Sequence, residues 1–209
     1  MGFHVAYLLV RGKSPQEIQK SLNLEGTGEI LDFPDGHIIG ARLPSGWYLV
    51  YVEILQGRSP FRYPDEDFSD FPKNQHPKFS MEDQLREISK NAEVILGLAE
   101  ECGMHSFACC WQYEHEVWRV DHFAGKYDTD HFESSGTFPP QFESIRAGHF
   151  PRNREPRGGG VCLFEVPAEL VLSITGFRYD GNNPGGHPTD QFEVLRLLPS
   201  RKPWWQFWK

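Results

Sequence analysis

Four of the nine histidines, His105, His115, His122 and His131, fall where apolar residues alternate, the spacing of β-strands. In Val117–Phe123, alternation sends Trp118, Val120 and His122 to one face and Val117, Arg119 and Asp121 to the other. On the preceding run, His105, Phe107, Cys109, Trp111 and Tyr113 share a face. Were these two faces the same, His105, His122 and Glu100 would converge. An imidazole and a carboxylate so placed could serve as general base and acid of a hydrolase, or as metal ligands. No H-E-x-x-H, no H-x-E with C-x-x-C and no two-His-one-carboxylate spacing accompanies them. The plainer reading is histidines buried and hydrogen-bonded within the fold.

Other reactive side chains are thinly set. Cys102, Cys109, Cys110 and Cys162 match no zinc pattern, and adjacent Cys109 and Cys110 would point to opposite faces of a strand. They read as reduced, buried thiols acting as small hydrophobes. There is no G-x-S-x-G elbow. Gly158-Gly159-Gly160 precedes an expected strand and lacks the Lys-Ser/Thr of a phosphate loop. Arg152, Arg154 and Arg157 make the loop 151–160 basic, a solvated surface by default and an anion site as the alternative. No cofactor or metal is expected.

Charge says more about partners. The chain has 209 residues and a net charge of −8. Residues 1–149 hold 13 Lys/Arg against 23 Asp/Glu, and residues 150–209 hold 8 against 6. A duplex-binding protein needs a basic face, so nucleic acid is not the expected ligand. An acidic body suits solubility and also a basic protein partner. The densest acidity is Asp65-Glu66-Asp67 with Asp70, inside a proline-rich loop over 57–79. These four residues are the candidate docking charges. No apolar run reaches the roughly 18 to 20 residues of a membrane span. No leader is expected either, because Arg11-Gly12 follows the apolar start without a small-residue cleavage site. The expected compartment is the cytoplasm.

These residues need elements to hold them. Phe3–Val10 reads as a strand. Ser14-Pro15-Gln16-Glu17 is a capping box with Pro at the first helical position, opening a short helix that Gly26–Gly28 would end. Strands are expected at Glu29–Phe33, Ile38–Leu43 and Trp47–Ile54, the last two a hairpin about Pro44-Ser45-Gly46. Ser80 would cap a helix from Met81 to Lys90. Val94–Glu100, His105–Tyr113, Glu116–Phe123 and Thr129–Ser134 form an expected meander, with turns at Cys102-Gly103 and Glu114-His115. A short helix at Phe142–Gly148, a strand at Val161–Glu165, a helix opened by Pro167 and ended by Gly176, and a final strand or helix at Phe192–Leu198 complete the list. Segments 14–29 and 166–181 share a helix-start Pro, a Glu two residues on and a Thr-Gly, which reads either as a duplicated strand-helix unit or as two similar capped helices.

The expected fold is α+β: residues 1–198 as a single domain, a central antiparallel sheet with three or four short helices packed on it. Its core would draw on Leu8, Val10, Trp47, Leu49, Val94, Leu96, Phe107, Trp118, Val120 and Leu170. Residues 199–209 form a tail with Trp204, Trp205, Phe207 and Trp208 within five positions. Rings of this size bury on the order of 150–250 Å² each. The tail would fold back, anchor a homo-oligomer such as a regulatory scaffold, or touch a membrane interface.

At GWYLVYVE (46–53), EVWRVDH (116–122), VPAELVLSITGFRYDG (166–181) and FEVL (192–195), the chain resembles a scattered set of uncharacterised bacterial proteins. The likeness covers most of residues 3–195 and implies shared structural motifs; it carries over no catalytic residue. Small acidic cytosolic proteins of this kind are often immunity proteins that neutralise toxins, an analogy of class. The leading expectation is therefore a non-enzymatic binding protein, with the hydrolase and the tail-assembled scaffold as alternatives.

Overall fold

The computed structural model describes residues 2–32, 38–53, 81–124, 131–150, 162–181 and 188–198. Its described strands form one antiparallel sheet of nine. They are β1 (His4–Arg11), β2 (Leu24–Leu31), β3 (Ile38–Arg42), β4 (Tyr48–Glu53), β5 (Glu93–Glu100), β6 (His105–Gln112), β7 (His115–Phe123), β8 (Glu133–Gly136) and β9 (Phe192–Leu197). The order is β2-β9-β3-β4-β1-β5-β6-β7-β8. The first strand lies mid-sheet, and the expected meander runs from β5 outward to β8. The last strand inserts between β2 and β3.

The sheet is covered on both faces. Helices α1 (Pro15–Ser21) and α2 (Met81–Ser89) bury Ile18, Leu85 and Ile88 on one side, with Leu8, Val10, Val94, Leu96 and Phe107. Helices α3 (Phe142–His149) and α4 (Glu165–Thr175) bury Phe142, Val166, Leu170 and Val171 on the other, with Trp47, Leu49, Trp118 and Val120. The ten expected core residues are all buried, divided between these two cores. Strands with both faces covered read as continuous apolar runs rather than alternations, as in AYLLV, YLVYV and VILGLA. The edge strands differ: β8, ESSG, is exposed throughout, and β2 is mostly exposed, with an irregular register between Gly26 and Ile30. Polar composition and a bulge both blunt a free edge.

Local signals explain the helix ends. The Ser14 hydroxyl accepts the Glu17 N–H at 3.3 Å, and the Glu17 carboxylate accepts the Ser14 N–H at 2.9 Å. Helix α4 ends at Gly176, whose φ of 76° suits glycine. Thr175 Oγ1 then accepts the Phe177 N–H at 3.2 Å, and the Ser45 hydroxyl donates to the Thr175 carbonyl, tying the β3–β4 turn to the helix end.

Several expectations are corrected. The strand expected at Val161–Glu165 is a 3₁₀ turn at Cys162–Phe164 running into α4, so Pro167 is the third helical residue, where no intrahelical N–H is needed. The helix start-motifs compared above therefore lie on opposite faces of the sheet, and only the first follows a strand directly. Gly26 and Gly28 do not end α1; they lie within β2, which begins at Leu24. The β6–β7 turn is Tyr113-Glu114, one residue earlier than expected, with φ of 50° and 67°. Neither residue type advertises the left-handed conformation this two-residue turn requires. The strand expected at Thr129–Ser134 is β8 at Glu133–Gly136, with Ser134-Ser135-Gly136 inside it rather than beyond its end. The loop 57–79, the Ser80 cap, the loop 151–160 and the tail 199–209 lie outside the described residues.

Gly97 faces Tyr7 across the β1–β5 ladder, and a Cβ there would run into the Tyr7 ring. Gly97→Ala is expected to destabilise by about 1–3 kcal/mol through overpacking. In Tyr7→Leu, which removes most of the ring, the same change should be milder. Urea unfolding of the two single variants and the double variant measures this; strict additivity would refute the ring-over-glycine contact.

Candidate functional site

The ladder decides which side chains meet. His122 pairs with Ser106, whereas His105 pairs with Phe123 on one side and Glu100 on the other. Directly opposed residues share a face. His122 therefore lies on the α3/α4 face with Val120 and Trp118, and His105 on the α1/α2 face with Phe107 and Cys109. The expected convergence of His105, His122 and Glu100 does not occur. Glu100 and His105 are neighbours; His122 is behind them, through the sheet.

On its own face, His105 stacks on Phe123 at 4.4 Å and lies 3.2 Å from Asp121, Nε2 to Oδ1. The two atoms are close but not aligned as a hydrogen bond, so their interaction is electrostatic. On the other face, His122 is fully buried, and its Nδ1–H donates to the His131 carbonyl at 2.6 Å. Its Nε2 has no hydrogen-bond partner among the described residues, and its ring meets that of Phe164 nearly perpendicularly, centroids 6.5 Å apart. Burial, with the nearby His131 and His105, holds the His122 pKa below the ordinary value against the His131 bond and Asp121. Burial thus favours its neutral form. Ser106, directly opposite, donates to the Phe164 carbonyl at 2.7 Å, so this Ser and His form no nucleophile pair. His131 Nδ1 accepts the Phe123 N–H at 2.9 Å. His115 lies exposed at the start of β7.

Among the described residues, no three His, Cys, Asp or Glu side chains are placed to hold one metal ion. Burial pushes the Cys109 thiol up to about 12 and the Cys110 thiol higher, so neither is a ready nucleophile. One depression of about 330 Å³ is lined by Asn91, Ala92, Glu93, Gln112 and Tyr113, at the opposite end of β6 from His105 and next to the His115 end of β7. Asp65, Glu66, Asp67, Asp70, Trp204, Trp205 and Trp208 lie outside the described residues. No described helix is long and apolar enough to cross a membrane.

The densest polar cluster was not anticipated. Arg178 follows α4 and is about one-tenth exposed. Its Nε donates to Asp180 at 2.9 Å, and its amino groups reach Glu165 and, at 3.9 Å, Glu169. His149 Nε2 lies 3.0 Å from the same Glu169. Burial works against the Arg178 charge, but Asp180 and Glu165 outweigh it and hold its pKa above the ordinary value. Beneath lie Phe177, edge-on to Tyr7 and Tyr51, and Tyr179, stacked on Tyr7 at 6.3 Å. Burial raises the pKa of all three tyrosines. The signal was present in sequence: Glu165 and Glu169 are one helical turn apart, and Arg178 and Asp180 follow the helix stop. The ITGFRYDG segment is thus a helix stop, an ion cluster that ties Arg178 back to α4, and an aromatic pair, Phe177 and Tyr179, packed on the sheet.

No family model, curated protein or solved structure matches the chain.

Arg178→Met should destabilise by about 2–3 kcal/mol, toward the low end for a broken buried ion pair because Glu165 and Glu169 reach solvent. Glu169→Gln should lose much less. Urea midpoints test the order; an unaffected Arg178→Met would show that the cluster does not hold α4.

Proposed function

We propose that the protein is a non-enzymatic, cytoplasmic binding protein whose acidic surface engages a basic protein partner, in the manner of an immunity-type inhibitor. The observation that carries this reading is the excess of ten acidic residues over residues 1–149. Its densest part is Asp65, Glu66, Asp67 and Asp70, and α2, the first described element after that loop, continues it with exposed Glu82 and Asp83. Clustered charge of one sign raises association rates and selects oppositely charged partners. The buried state of His122, Cys109 and Cys110 supports structural roles for them.

A hydrolase is the second reading. The observation favouring it is the carboxylate–imidazole pair of Asp121 and His105, with Glu100 on the adjacent strand. Its base would be His105, since His122 is sealed from solvent.

The test begins with capture from native-cell extract on the immobilised full chain, followed by calorimetry with the purified partner. The expected partner is basic. Its Kd should weaken roughly tenfold or more on going from low to physiological salt, and again in D65N/E66Q/D67N/D70N. Salt-independent binding, or equal affinity for the fourfold variant, would reject the acidic-docking reading.

A further inference from the structure

The edge strand β8 has only four residues, all exposed, and pairs with β7 from Asp121↔Glu133 to Trp118↔Gly136. So short an edge strand is weakly held by its ladder alone. Two side-chain bonds prolong the attachment beyond the ladder, and both involve imidazoles. His122 Nδ1–H donates to the His131 carbonyl, and His131 Nδ1 accepts the Phe123 N–H. We propose that His122 and His131 form a proton-operated latch, which holds β8 on β7 when both rings are neutral and releases it when they are protonated.

The argument rests on tautomers. Because His131 Nδ1 is an acceptor, its neutral ring carries the proton on Nε2, which faces Glu133 Oε1 at 3.5 Å. A second proton has only Nδ1 to occupy, and there it opposes the Phe123 N–H, donor against donor. His122 is the complement. Its proton is on Nδ1, so a second must enter at Nε2, a buried atom with no acceptor among the described residues. An unpaired buried cation is strongly disfavoured. Protonating either ring therefore removes one of the two bonds or charges the interior.

The charged surroundings do not cancel this. From β7, Asp121 favours a charged His122; from β6, His105 opposes it, as does His131. Ser106 is turned to the Phe164 carbonyl, and Glu165, next along the chain, is engaged by Arg178. From α3, Arg146 lies over the rings of Phe132 and Phe150, adding positive charge on that side. Burial is the largest influence and sets the pKa of His122 below its ordinary 6.5. The unfolded or detached state then binds more protons than the latched state. On the His122 side the latch is therefore closed at pH well above the ordinary value and weakens as pH falls through the depressed one. Release leaves β7 as the new edge of the sheet.

The test uses the full chain labelled with ¹⁵N, followed by NMR between about pH 8 and about pH 5, the range in which imidazoles titrate. At the upper end, His122 should show the Nδ1–H tautomer and His131 the Nε2–H tautomer. On acidification, amide protection at residues 133–136, corrected for intrinsic exchange, should fall roughly tenfold or more as the rings titrate. Amides of β1 and β5 should keep theirs. His122→Asn retains a donor for the His131 carbonyl, and His131→Asn retains an acceptor for the Phe123 N–H. The double variant should hold β8 with no response to pH. A pH response surviving in the double variant overturns the latch. Should the variant fail to fold, the wild type still decides: rings that titrate without loss of protection at 133–136, or protection lost before either ring titrates, overturn it.

Discussion

The mid-sheet position of β1 constrains everything else. Its peptide groups are taken up on one side by β4 and on the other by β5, and its side chains alternate between two covered faces. A strand so placed must be apolar at every position, and its neighbours nearly so. Among the described residues, both faces of this central strand are covered by side chains of the helices and connections. Interaction is displaced to the strand ends, to the edges at β2 and β8, and to the connections.

The same constraint governs the buried polar groups. A hydroxyl or imidazole inside such a sheet must find a partner from the covering layer or lose about 1–3 kcal/mol. Ser106 finds the Phe164 carbonyl just ahead of α4, and Ser45 finds the Thr175 carbonyl at the end of that helix. Helix α4 is thus pinned at both ends by serine hydroxyls from the sheet layer. Arg178 adds an ion cluster beyond the second pin. His122 reaches sideways instead, toward the edge, because the residue opposite it has already given its proton to the covering layer.

What was legible in the sequence was local. The Ser14–Glu17 box, the Pro44–Gly46 turn, the Gly176 stop and the first three strands of the meander all depend on residues close in the chain, and each is found where the pattern put it or within a residue or two; the fourth strand, expected at Thr129–Ser134, is shifted to Glu133–Gly136. What was not legible depended on long-range pairing. Nothing local tells β9 to insert between β2 and β3. The relation of His105 to His122 turned on register: alternation fixes which residues of one strand share a face, and only the pairing of Ser106 with His122 relates the two strands. The 3₁₀ turn at Cys162–Phe164 was read as a strand because a buried apolar run of that length fits either state.

Register also bears on which acidic residues can act together. Glu93 and Glu25 are answered across the sheet by Arg11 and Arg196, and Glu116 by Arg119. Such pairs are close to neutral when seen from a distance. At physiological salt, charges more than about 8 Å apart are largely screened from one another. Consecutive Cα atoms are about 3.8 Å apart whatever the conformation, so Asp65, Glu66 and Asp67 lie within about one screening length by covalent geometry alone. Helical spacing does the same for Glu82 and Asp83 at the start of α2. The acidity that a partner would feel is therefore not the net charge of the whole chain. It is densest in the sequence at Asp65, Glu66, Asp67 and Asp70 and continues into Glu82 and Asp83 in the first turn of α2.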